Sequence, residues 1–344
     1  MSKAADRAER RAAKNHVVDE RGRRKNAAQR ARSLMAKKAD AMPVVLAPDG
    51  PRAVRVVDAE LVDPSPRGGI GEVYQQRYLL RLIVGRLLAQ QYAASVLGLL
   101  WSYIQPAMRF GVYFFVFGVV LSSHRSTPNF ALHLFAGMVF VHYFTETWGS
   151  GTRSIRSNRA LLLKMRMPRE IFPVASMLVA LYHSGPQVLI LIVCCAIVGW
   201  HFSLTAVAAG LLGLAIVVTF AMAMALFFST LNVFYKDFQN IVQTFTQFVH
   251  FMVPMMYGYS FIAKLDVNHP VIYQLYMANP LVEVVLLMQR FFWYPTLENP
   301  EAFSDQFPPH LFERGFITLG LSLVFLYFAQ KFFSRLESRF PERL

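Results

Sequence analysis

The sequence predicts an all-α, polytopic membrane protein: six transmembrane helices, an N-terminal cytoplasmic interface helix, and a re-entrant or interfacial segment between spans five and six. Three observations predict it. Between Glu170 and Lys236 there is no Asp, Glu, Lys or Arg, and His183 and His201 are the only groups there that titrate near neutral pH. A crossing of the bilayer core takes roughly 20 apolar residues, so this run holds two spans. Gly199 to Ser203 is the turn between them. Composition agrees, with 55% hydrophobic and 16% charged residues, where a soluble domain is about a quarter charged. Finally, the cations are unevenly placed. Of 35 Lys and Arg, 19 precede residue 101 and 13 lie within the first 38 residues.

That uneven placement explains the net charge of +14 without nucleic-acid chemistry. Residues 1–70 mix Ala, Arg and acids with few large apolar groups, a composition that cannot bury enough surface to fold alone. They are expected to form a disordered basic cytoplasmic tail near anionic lipid. No apolar core follows the first charges, so a signal peptide is not expected. Residues 71–344 form the membrane domain. The adjacent Cys194 and Cys195 lie inside a span and imply neither a disulfide framework nor a metal site.

Along the chain, Glu72 to Leu100 reads as a helix with apolar residues nearly all round and Arg77, Arg81 and Arg86 on its flanks. A helix at the cytoplasmic interface fits, its arginines snorkelling to water. Spans follow near Leu99–Leu121, Phe130–Ser150, Phe172–Val198, Leu204–Leu231, Phe238–Ile262 and Gly315–Phe333. The fifth contains Pro254, tolerated where neighbours satisfy the freed carbonyl. Asn279 to Tyr294 is apolar but carries Glu283 and Arg290, and it is read as re-entrant or interfacial. Short-loop cations set orientation. Arg153, Arg156, Arg159, Lys164, Arg166 and Arg169 follow span two, and Arg335, Arg339 and Arg343 end the chain. Both termini are therefore expected in the cytoplasm.

Three short stretches carry a family likeness. Tyr92, Ser95, Leu97, Gly98 and Trp101, then Gln105 and Pro106, open span one. Asn158, Lys164, Pro168 and Arg169 lead into span three, and Tyr235-Lys236-Asp237 joins spans four and five. Together they resemble the permease subunits of type-2 ABC exporters, in the branch that exports O-antigen, teichoic-acid and cell-wall polysaccharides. The likeness covers about residues 72–335. Gln90 and Gln91 depart from it, since the family usually carries charge there.

The resemblance implies a homodimer round a central path, driven by a separate ABC ATPase subunit that binds ATP and Mg. Arg156, Asn158, Lys164, Pro168, Arg169, Tyr235, Lys236 and Asp237 would form the ATPase-coupling interface. A solvated basic loop accounts for the charges by topology alone; Asn158 and Pro168 exceed that account. The implied cargo is a polyprenyl-pyrophosphate-linked glycan, O-antigen-like or a cell-wall galactan, moved outward across the inner (plasma) membrane. The 26 Arg against 9 Lys suit GC-rich coding and the galactan.

The residues agree on two points. There is no Gly-x-x-x-x-Gly-Lys-Ser/Thr loop to cradle phosphates, and Gly68 to Gly71 lacks the strand and the Lys of a nucleotide site. No carboxylate and histidine cluster supports catalysis: Glu298, Glu301, Asp305 and Glu313 are spread through one outer loop. No cofactor is expected on this chain.

Helical spacing suggests a transport path. Phe110, Tyr113, Phe114 and Phe117 fall at i, i+3, i+4 and i+7 of span one, an aromatic stripe on which sugar rings could slide or which could simply pack. Asn240, Gln243, Thr244 and Gln247 repeat that spacing in span five. Such a polar face must meet protein or a wet cavity, not lipid. His142 and Glu146 sit at i and i+4 of span two, either as an interhelical clamp or as a proton relay. A proton-coupled carrier, an exporter of drugs or lipids, and a membrane enzyme remain the alternatives.

Overall fold

The computed structural model describes residues 45–46, 53–54, 69–93, 97–122, 127–165 and 167–344. Within the first unit, Met1–Asp63, strand β1 (Val45–Leu46) pairs antiparallel with β2 (Ala53–Val54). The rest of the expected disordered tail lies outside the described residues.

In the second unit, Pro64–Leu344, the regular elements among the described residues are all helices. Helices α1 (Gly69–Gln75) and α2 (Arg77–Tyr92) precede the membrane domain. The single helix expected over Glu72–Leu100 is thus broken at Gln76 and ends at Tyr92. Gly98 has φ +48°, a left-handed conformation that suits glycine, and opens a short 3-10 turn into span one. Span one is α3 (Trp101–Tyr113), continued by the wider π-helical turns Phe114–Val120.

Among the described residues, four helices are long and apolar enough to cross a membrane: Trp101–Val120, Ile171–Val198, Leu204–Phe234 and Leu311–Arg343. A fifth crossing results if Pro270–Met277 and Pro280–Thr296, bent by 74°, count as one. The six-span expectation is therefore matched only in part. Helix α4 (Phe130–Ser157) stands where span two was placed and is 28 residues long. It is too rich in polar groups to pass as an apolar span, and one of its faces is wholly buried by its neighbours.

The predicted fifth span is not one helix. Helix α8 (Asp237–Val249) stops, residues 250–258 turn, and α9 (Tyr259–Asn268) resumes. Pro254 supplies the local reason, because it removes a donor and clashes with the preceding turn. Gln289 supplies the distant one, its Nε2 donating to the Pro254 carbonyl at 2.9 Å. Helices α10 (Pro270–Met277) and α11 (Pro280–Phe292) follow, the second capped by the Asn279 side chain accepting from the Leu281 N–H.

The hairpin read from the charge-free run is α6 (Ile171–Val198) and α7 (Leu204–Phe234), with Gly199 at φ +99° ending α6. Helix α7 is central and packs against α4, α11 and α12 (Leu311–Leu336). Lipid is as apolar as leucine, so membrane helices associate through close van der Waals contact at small residues. Helix α7 is built for that: Gly210 lies against Phe291, Gly213 against Leu287, and Ala225 against Gly151 of α4. The chain ends in α13 (Phe340–Arg343), whose Phe340 is fully buried.

Candidate transport path and coupling surface

Span one turns its aromatic stripe inward. Phe110 meets Phe114 at 5.9 Å and Phe135 at 5.3 Å, and Phe114 meets Phe130 at 6.4 Å. Tyr113 lies 6.4 Å from His250 and 6.3 Å from Phe251, while Phe117 packs against the same core. A Cβ on Gly118 would meet Phe114 and Phe130 at 3.3 and 3.2 Å, so an alanine there would need those rings to give by a few tenths of an ångström. The opposite face, with Met108, Val112, Phe115 and Val119, is exposed.

The polar stripe of α8 points the other way. Asn240, Gln243, Thr244 and Gln247 are all exposed, and only Thr244 bonds back to its own helix, at the Asn240 carbonyl. Inward, α8 offers Val242 and Val249.

Between span one, α4 and the end of α8 lies a polar cavity of about 410 Å³. Arg109, Tyr113, His142, Glu146, Gln247 and His250 line it. Arg109 Nη1 donates to His250 Nε2 at 3.2 Å, which leaves that imidazole neutral with its proton on Nδ1. No ion pair joins Glu146 to Arg109 among the described residues. Ionisable groups at membrane depth are costly and default to a functional role. The cavity therefore unites one residue of the polar stripe, one of the aromatic stripe, and the His142 and Glu146 pair. His250 escaped the sequence reading, although it extends the 240, 243, 244, 247 series by three residues.

The predicted coupling residues divide into two groups. Lys164, Tyr235, Lys236 and Asp237 are exposed, as are Leu163 and Met165 beside them. Asn158, Pro168 and Arg169 are buried and hold the loop in place. Asn158 caps α4, its Nδ2 donating to the Ser154 carbonyl at 2.8 Å before the short helix α5 (Arg159–Lys164) begins. Arg156 Nη1 donates to the Asn232 carbonyl at 3.2 Å, and Asn232 Nδ2 donates to Thr152 at 3.0 Å, tying α4 to α7.

Arg169 sits over the Phe340 ring at 5.9 Å, near Glu337 and Glu170. Burial lowers its affinity for the proton, and the two glutamates pull it back up. Burial raises the Glu170 carboxyl above the usual carboxylate range, offset in part by bonds from its own backbone and from Gln330 Nε2 at 2.9 Å. Phe340 also meets Phe234 at 6.2 Å and Phe333 at 5.4 Å. The chain terminus thus wedges between the two predicted coupling segments. Local periodicity holds no signal for that contact.

The first family motif makes a further junction. Tyr92 Oη lies 2.8 Å from Ser102 Oγ and 2.9 Å from His183 Nδ1, and His183 Nε2 lies 3.0 Å from Gln91 Oε1. Gln91, the departure from the family pattern, makes a polar contact after all. Ser95 and Arg166 lie outside the described residues.

Known proteins resemble this chain over most of its length. The O-antigen export system permease protein RfbA of Myxococcus xanthus is 26% identical over 279 residues, spanning 80% of this chain and 98% of that protein. Two proteins of the same name from Klebsiella pneumoniae are 26% identical over 274 residues and 27% over 270, each spanning 77% of this chain and 95% of the relative. Residues 78–289 match the ABC-2 type transporter family, a stretch that includes the polar cavity and the basic segment between α4 and α6. This chain belongs to the ABC-2 type transporter family and is a multi-pass membrane permease.

Proposed function

We propose that the chain is the permease subunit of an ATP-driven exporter moving a polyprenyl-pyrophosphate-linked polysaccharide, O-antigen-like or a cell-wall galactan, outward across the inner membrane. Two copies pair round a central path, and two copies of a separate ABC ATPase bind ATP and Mg and dock on the cytoplasmic face. The observation that carries this reading is the α8 stripe. Helix α8 exposes four uncharged polar side chains along one face, beside the apolar Ile241, Phe245 and Phe248, and such groups set within a bilayer could not face lipid without large cost. A second copy closing on that face by two-fold symmetry makes it the wall of a wet, hydroxyl-tolerant path.

The coupling surface supports the second half of the proposal. Its exposed apolar and cationic residues, Leu163, Lys164 and Met165, lie on a short helix anchored by Asn158 and Arg169. Movement of a docked ATPase would reach α4 through Asn158 and α7 through Tyr235. Both termini lie in the cytoplasm, on the side of the basic loop, by the short-loop cation rule. The names of the relatives support the cargo class.

Depletion of the protein, followed by analysis of lipid-linked glycans in membrane vesicles, tests the reading. A long polyprenyl-linked polymer accumulating on the cytoplasmic side is the expected result. Unchanged lipid-linked glycans would move the protein to small-molecule or lipid export.

A further inference from the structure

Two cavities apart from the proposed path stand end to end on the side of α7. The first is an apolar groove of about 360 Å³ between α6, α7 and α11, walled by Leu181, Gly185, Leu211, Leu214 and Phe291. The second is a pocket of about 350 Å³ whose walls are mostly apolar, among them Ala206, Pro295 and Leu297, but into which His201, Ser203, Thr205, Arg290 and Glu298 bring polar groups. They are contiguous along both helices: Ala206 lines the pocket and Val207 the groove, Arg290 the pocket and Phe291 the groove. A chamber with a cation, a carboxylate and hydroxyls at its wall, beside a purely apolar groove on a membrane helix, has the layout of a lipid.

The level is right for a headgroup. Trp200 beside the pocket donates its indole N–H to the Phe291 carbonyl at 3.1 Å, and tryptophan collects at the membrane–water boundary. The chemistry is specific as well. Arg290 stacks on Tyr294 at 4.0 Å and lies 5.2 Å from the centre of Phe307, which leaves the N–H donors on its edge free. Among the described residues no acid pairs with it. Ser203 and Thr205, their hydroxyls 2.8 Å apart, stand at the first turn of α7, where backbone N–H groups favour an anion. Glu298, exposed at the rim, supplies a negative charge to the same chamber.

We infer that this composite cavity holds one zwitterionic phospholipid of the phosphoethanolamine class, its phosphate on Arg290, its ammonium at Glu298 and one acyl chain in the groove beside Gly185. A purely anionic headgroup would meet Glu298 unfavourably, and a choline headgroup would offer that carboxylate no N–H donor. The bound chain would press on Phe291 and so brace α11, the helix whose Gln289 holds the break at Pro254. The inference rests on the membrane-permease reading but on neither the cargo nor the ATPase.

The test is lipid retention. The full-length permease with its ATPase is reconstituted in nanodiscs of equal phosphatidylethanolamine, phosphatidylglycerol and phosphatidylcholine, then released into the gas phase for native mass spectrometry without ATP or glycan. Phosphatidylethanolamine is expected to be retained at least fivefold over the other two. Arg290→Gln and Gly185→Phe are each expected to cut that retention by tenfold, and Glu298→Gln to abolish the preference over phosphatidylglycerol. A Cβ at residue 185 meets nothing within 4 Å, so the larger side chain fills the groove without disturbing packing, and an unchanged melting temperature verifies that. Absence of retained lipid, a preference for phosphatidylglycerol, or unchanged retention in all three variants would overturn the inference. Failure of the ATPase to co-purify would count against the exporter reading alone.

Discussion

The crossing of α4 and α7 at Gly151 is the tightest point that joins the polar cavity to the coupling surface. An alanine there would place its Cβ 2.5 Å from the Ala225 Cβ and 3.2 Å from the Ala225 Cα. Carbon atoms prefer about 3.5–4.0 Å, so the helices must part by roughly 1 Å, and a gap of that size forfeits up to about half of each neighbouring contact. No hydrophobic gain compensates inside a membrane. Overpacking of this kind costs about 1–3 kcal/mol for Gly151→Ala, and Gly151→Val belongs at or beyond the upper end. Gly149, two residues away, is the internal control, since a Cβ there meets nothing within 4 Å. Thermal unfolding of the purified protein should show Gly151→Val melting several degrees below wild type and Gly149→Ala close to it. Equal melting of the Gly151 and Gly149 variants would refute the close-contact account of this crossing.

Three further outcomes follow from particular residues. Glu170 is held above its ordinary range, chiefly by burial, so folding favours its protonated form. The resulting penalty is absent below the unfolded value of about 4.3 and is complete only above the folded one. Glu170→Gln should therefore raise the melting temperature at pH 8 and leave it unchanged at pH 4; an equal gain at both would sink the burial argument. Phe340→Ala empties a fully buried site beside Arg169 and should destabilise by about 3–5 kcal/mol, with co-purification of the ATPase reduced and recovered by Phe340→Leu. In sealed vesicles supplied with ATP, collapsing the proton gradient should leave glycan export intact. Loss of export there would return His142 and Glu146 to the role of a proton relay.

Much of the fold could be read directly because its signals are local. The hairpin was placed at Phe172–Val198 and Leu204–Leu231 and stands at Ile171–Val198 and Leu204–Phe234, since nothing but uninterrupted apolar residues and a turn glycine decide it. The last span, placed at Gly315–Phe333, stands at Leu311–Leu336 for the same reason. Where a partner far along the chain decides, the sequence misleads. Pro254 was visible, but the 2.9 Å contact that turns a kink into a break comes from Gln289. Nor does anything local show that Arg109 bonds His250, 141 positions away. Spacing exposed both stripes of the candidate path without revealing which way either one faced. Asn158 and Pro168 stood out because topology did not need them, and burial gives the reason.

The two stripes differ in what they demand of their surroundings. The outer face of span one is apolar, and only 11% of its window is buried, against 50% for Leu204–Phe234. Lipid can cover that face as well as protein can, so its exposure implies no partner. The α8 face is different in kind. Side-chain amides such as Gln243 and Gln247 keep their donors and acceptors unsatisfied in hydrocarbon. No rotation of α8 relieves this, because Val242 and Val249 on its other side are already committed to the core. The cavity at Arg109, His142 and His250 reaches the same face through Gln247, so whatever supplies water or protein to one supplies it to the other. The polar face of α8, rather than the aromatic stripe that first suggested a sugar path, is thus the surface that calls for water or protein beside it.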